Sequence, residues 1–124
     1  MHRLIIVAAL LVSSSVATAQ AVTVTLSEWK VELGRDSVKA GAVTFKVKNA
    51  GSMTHGFYVR GEGVGKGTKE ISAGQEAPLT LTLKPGTYEL YCPMSDMSHK
   101  MAGMSRKLVV IAGDAPAATK KPGD

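Results

Sequence analysis

The chain has one cysteine, one tryptophan, two phenylalanines and three tyrosines among 124 residues, and it has no excess of acid, with 15 Lys and Arg against 10 Asp and Glu. A lone cysteine excludes an internal disulfide, so the fold must rest on its own core or gain from a bound metal. The aromatics are too few, and too little interleaved with the lysines, for a nucleic-acid-binding surface. The longest apolar run, residues 4–12, falls well short of the roughly 20 apolar residues that cross a bilayer. Helical periodicity is almost absent. Glycines at 61, 63, 65 and 67 invite a phosphate-loop reading, but Gly67 follows Lys66 where Ser or Thr is required, and Arg60 stands where the first glycine belongs. A flexible surface loop over residues 60–70 is expected instead.

What is present at the N-terminus sets the compartment. Met1-His2-Arg3 is a short basic start, residues 4–12 are apolar, and Ala17-Thr18-Ala19 is an A-x-A cleavage signal. Residues 1–19 therefore read as a secretory signal peptide, and the protein as periplasmic or otherwise exported. A lipid anchor does not fit, because Cys92 lies far from the N-terminus. Cleavage removes Arg3 and no acid, which leaves 14 basic against 10 acidic residues, a net charge of +4, and two histidines. This modest excess suits steering toward acidic partners as well as simple solubility. One small domain is expected over residues 20–112. Residues 113–124 hold Pro, Lys and Gly without a large apolar side chain and read as a disordered tail.

Between these ends the pattern is period-2. Val22, Val24 and Leu26 alternate with threonines; Trp29, Val31 and Leu33 alternate with charged residues, which places Trp29 in the core; Val43, Phe45 and Val47 alternate with Thr44, Lys46 and Lys48. Strands are also expected at residues 56–59, 79–83, 87–92 and 107–111. Lys84-Pro85-Gly86 has the chemistry of a tight turn, and a hairpin joining its flanking strands is expected there. About seven short strands with turn signals between them imply an all-β, antiparallel Greek-key sandwich or barrel.

The chemistry is concentrated in residues 91–104, which carry the cysteine, a histidine and the methionines Met94, Met97, Met101 and Met104. Thiolate, imidazole and thioether form the soft donor set that selects copper over calcium or magnesium. Cys92 shares its parity with Tyr88 and Leu90, so it points toward the core, where the alternative to a ligand is a buried inert thiol. The remaining histidine, His55, follows the turn Asn49-Ala50-Gly51-Ser52 and stands where a loop meets a strand.

Two stretches resemble the small cupredoxins, the family of plastocyanin, azurin and pseudoazurin. Asn49-Ala50-Gly51-Ser52-Met53-Thr54-His55-Gly56-Phe57 is similar to the segment carrying the first ligand. Tyr91-Cys92-Pro93, His99, Gly103-Met104 and Leu108-Val109-Val110 are similar to the closing ligand loop and last strand. The resemblance spans about residues 22–111. It implies one copper ion cycling between Cu(I) and Cu(II), with His55, Cys92 and His99 as strong ligands and Met104 as the weak axial one, Met101 being the alternative. It further implies a monomeric one-electron carrier, not an enzyme, that docks briefly with redox partner proteins. His99 is then the expected exposed edge of the site, with Lys100 and Arg106 as bordering charges. Two features depart from the family pattern. Six residues separate Cys92 from His99, and Met53, Met94, Met97 and Met101 exceed what one axial position uses. The excess forms either an adaptable apolar rim or a path for Cu(I), which opens a second reading as a copper-delivery protein.

Overall fold

The computed structural model describes residues 19–113. The expected leader at 1–19 and tail at 113–124 fall, apart from their innermost residues, outside the described part of the chain. Nine strands and one short helix follow in order: β1 (Gln20–Ser27), β2 (Lys30–Leu33), β3 (Ser37–Lys39), β4 (Gly41–Asn49), β5 (Tyr58–Gly61), β6 (Val64–Gly67), β7 (Glu76–Leu83), β8 (Gly86–Tyr91), α1 (Ser98–Met101) and β9 (Ser105–Ile111). They form two sheets, one ordered β2-β1-β4-β7 and the other β3-β9-β8-β5-β6. Most neighbours are antiparallel, while β1 with β4 and β3 with β9 run parallel.

The alternation read from the sequence becomes the core between the sheets. Val22, Val24 and Leu26 of β1 and Val43, Phe45 and Val47 of β4 meet Val59, Tyr88, Leu90, Leu108 and Val110 of the other sheet, all buried. Each such side chain contributes roughly 1.5–3 kcal/mol by leaving water. The parity of β4 carries one residue further, to Asn49, which is fully buried.

Three local expectations are corrected. Residues 60–70 are not a plain loop, since Tyr58–Gly61 and Val64–Gly67 pair as an antiparallel hairpin. β7 and β8 do not pair as a hairpin, because they belong to different sheets. The turn between them is an arch across the sandwich, closed by the Tyr88 hydroxyl, which accepts from the Lys84 N–H at 3.0 Å and donates to the Lys84 carbonyl at 2.8 Å. Trp29 is not in the core. It is 48% exposed and takes a positive φ of 62° in the two-residue turn between β1 and β2, so the strand parity breaks at that turn.

Register then decides which loops meet. Tyr58 of β5 pairs with Tyr91 of β8, and Tyr91 with Ser105 of β9. The segment before β5, the segment after β8 and the segment before β9 therefore lie at one end of the sandwich. Leu26 near the end of β1 pairs with Asn49 at the end of β4. That brings the β1–β2 turn to the same end.

Candidate metal centre

His55 is positioned by backbone on both sides. Its N–H donates to the Ile71 carbonyl at 3.1 Å, and the Ile71 N–H donates to the His55 carbonyl at 2.7 Å. The loop leading to it is organised by Asn49, whose side-chain N–H₂ donates to the carbonyls of Met53 and Ile71, both at 2.8 Å, while its oxygen accepts from Gly51 N–H at 2.9 Å. A buried amide with these partners is a structural fastener. The sequence signal for it was the inward parity of a polar residue on β4.

Cys92 leaves the end of β8 with its thiol inward and is fully buried, as its parity required. Its N–H donates to the Met104 carbonyl at 3.1 Å, and the Met104 N–H donates to the His99 carbonyl at 3.1 Å. These bonds tie the first and last residues of the ligand loop to each other and to His99. Gly103 has a φ of 124°, and a Cβ there would stand 2.7 Å from the Trp29 carbonyl oxygen. Both facts demand glycine just before Met104. His99 sits in α1 and is held only 4% exposed.

The three side chains converge. His55 Nδ1 lies 3.3 Å from His99 Nδ1, and Cys92 Sγ lies 4.0 Å from His55 Nδ1 and 3.7 Å from His99 Nδ1. Among the described residues this is the one cluster of three His, Cys, Asp or Glu side chains able to share an ion. Bond lengths of about 2.0–2.1 Å to imidazole and about 2.3 Å to thiolate, typical of a late first-row ion, place three trigonal donors about 3.5–3.8 Å apart. The observed triangle fits such an ion with shifts of a few tenths of an ångström. The Gly56 N–H points at the sulfur, at 3.3 Å. Burial, the largest influence, lowers the pKa of His55 below its ordinary value, with the neighbouring His99 acting the same way and Glu28 opposing. A neutral imidazole is the form that ligates.

Met104 is fully buried beside this triangle, whereas Met101 is 86% exposed. Met94 packs partly buried against the core, with its sulfur 3.7 Å from where a Cβ on Gly56 would be. Met53 and Met97 are exposed. The cupredoxin-like domain family matches residues 2–105.

The chain belongs to the cupredoxin-like domain family.

The fold comparisons agree with that membership. Reduced auracyanin from the photosynthetic bacterium Roseiflexus castenholzii is similar at a TM-score of 0.63 and 18% identity, over 77% of this chain and 99% of that one. A reduced mutant of amicyanin is similar at 0.52 and 22% identity, over 77% and 86%. A multi-copper oxidase from Pediococcus acidilactici is similar at 0.62 and 16% identity, over 82% of this cupredoxin but 28% of the oxidase. A comparison with curated proteins by sequence gives no match. In this family setting His55, Cys92, His99 and Met104 cluster as a type 1 copper site suited to one ion.

Two expectations about the rim of the site are overturned. His99 is not an exposed edge, because the Trp29 ring covers it edge-on, with centroids 5.3 Å apart and planes at 83°. Lys100 is not a free docking charge. Its ammonium lies 2.6 Å from Glu89 Oε1 and 4.6 Å from the centre of the Tyr91 ring. Glu28 was missed by sequence reasoning, since nothing in its neighbours along the chain marks it. Its carboxylate accepts from the N–H groups of Ser52 at 2.6 Å and Met53 at 2.9 Å.

Proposed function

We propose that this chain is an exported one-electron carrier that holds one copper ion on His55 Nδ1, Cys92 Sγ and His99 Nδ1, with Met104 as the weak axial ligand. The observation that carries the reading is the buried triangle of 3.3, 3.7 and 4.0 Å, on segments held by backbone hydrogen bonds. Bound copper supplies the Cu(I)/Cu(II) couple. The protein's part is to hold the donors nearly still, which keeps reorganisation between the two states small. Backbone bonds at Ile71, Met104 and His99 do this from three directions.

Three protein ligands and a buried thioether leave no open position for substrate, which favours a carrier over an oxidase. Both small neighbours described above are reduced forms, so they are redox-active proteins of similar fold. Electrons reach the ion through the His99 ring and the Trp29 ring against it, since Trp29 is the half-exposed group between His99 and solvent. Exposed Met53, Met97 and Met101 surround this route as an apolar docking rim for redox partner proteins. Export rests on the leader-like residues 1–19.

The same exposed thioethers favour a second reading, release of Cu(I) to another protein. Challenging the Cu(I)-loaded protein with a competing chelator separates the two. A carrier keeps its copper for hours and cycles reversibly at an electrode. Release within minutes, slowed by joint Met97→Leu and Met101→Leu substitution, establishes delivery and removes the carrier assignment.

A further inference from the structure

Among the described residues, His55 Nε2 is the buried side-chain nitrogen or oxygen that lacks a hydrogen-bond partner. A buried polar atom of this kind calls for a physical account. If Nδ1 faces the ion, the neutral ring must carry its proton on Nε2, and that proton points into the protein. The acceptor facing it is Glu28 Oε1, 3.6 Å away. This separation is longer than a hydrogen bond and within ion-pair distance, so a small ring or carboxylate shift completes the contact.

We propose that Glu28 is the positioning residue of the centre, accepting the His55 Nε2 proton so that Nδ1 is fixed as the donor and its basicity is raised. The inference rests on the copper reading above.

The surroundings of Glu28 support it independently. The carboxylate is fastened in place, because Oε1 accepts from Ser52 N–H at 2.6 Å, Met53 N–H at 2.9 Å and the Ser52 hydroxyl at 3.3 Å. Room is kept for it as well. A Cβ on Gly51 would lie 2.5 Å from Oε1 and 2.8 Å from Oε2, so glycine at 51 is what lets the carboxylate come in. One two-residue turn thus reaches both imidazoles, Glu28 behind His55 and Trp29 against His99. A carboxylate behind a ligating histidine raises ligand strength, and its loss costs about 10–100-fold in metal affinity.

The test is Glu28→Gln in the copper-loaded protein, with Gly51→Ala as a second variant that keeps the charge but displaces it. Gln retains an oxygen for the Ser52 and Met53 donors, so the turn is preserved while the anion is removed. Cu(II) affinity is expected to fall about tenfold with Cu(I) affinity nearly unchanged. The potential then rises by about 59 mV, the one-electron equivalent of tenfold. Pulsed EPR should show altered quadrupole coupling at one of the two remote imidazole nitrogens, and Gly51→Ala should move the same signal. A parent-like signal and a parent-like Cu(II)/Cu(I) affinity ratio in Glu28→Gln overturn the inference alone. Equal weakening of both ions with an unchanged signal also overturns it, as the mark of a merely structural role. Failure of the parent protein to bind copper tightly overturns the copper reading, and this inference with it.

Discussion

At the scale of single residues the decisive contrast is between Met104 and Met101, which are three positions apart and differ from complete burial to 86% exposure. Spacing from His99 left both open as axial ligands. The structure separates them because α1 ends at Met101, so that side chain faces solvent, while the glycine at 103 turns the chain back toward Cys92. Met104→Leu should keep the copper and the thiolate absorption but raise the reduction potential, because a weak donor to Cu(II) is replaced by apolar bulk. Met101→Leu should change neither. Voltammetry of the two variants checks this, and a larger shift in Met101→Leu would reverse the assignment. The inward direction of Cys92 was legible from strand parity, a local signal, whereas His55 was marked as a ligand by the resemblance of residues 49–57 to a first-ligand segment. The place of Trp29 was not legible. Alternation predicts an inward side chain only while the strand continues, and here a two-residue turn with a positive φ interrupts it. Glu28 was invisible for a related reason. Its partners are 24 to 27 positions away and meet it only through the parallel pairing of β1 with β4.

At the scale of elements, the ligand loop is the part under most constraint. Ser95, Asp96 and Met97 take positive φ in succession, a conformation that costs non-glycine residues about 1–2 kcal/mol each. The helix that follows is only four residues and has no side-chain cap. It is held from outside by Lys100, which bonds Glu89, and Glu89 also accepts from Arg60 at 3.0 Å. The Lys100 hydrogen bond, ahead of the Lys100 and Arg60 charges, lowers the Glu89 pKa below its ordinary 4.5. A carboxyl depressed in the folded state adds stability above its unfolded pKa and loses it as pH falls through the folded one. Comparison of parent and Glu89→Gln by thermal melting should therefore show a deficit in the variant at pH 7 that shrinks steadily below about pH 4.5. A deficit independent of pH would mean that the tether acts by shape and not by charge. The six-residue spacing from Cys92 to His99 announced an unusual loop, but neither the strained run nor the tether could be read from it, because both depend on where β5 and β8 lie.

At the scale of the whole molecule, the sandwich was legible because alternation over β1, β4, β7, β8 and β9 is strong and turn residues separate the strands. The sheet assignment of β7 and β8 was less so. A Lys-Pro-Gly turn serves a hairpin and an arch equally well, and the choice is made by the Tyr88 hydroxyl bonding across it. What the fold accomplishes is to bring three loops, distant in sequence, to one end of a rigid two-layer frame. The donors of the proposed copper site meet there. The most direct measurement of that claim is titration of the metal-free protein with copper, followed by visible absorption and EPR. The account predicts saturation at one tight equivalent, with an intense thiolate-to-copper charge-transfer band that disappears in Cys92→Ser. Absence of both the tight equivalent and the band would contradict it.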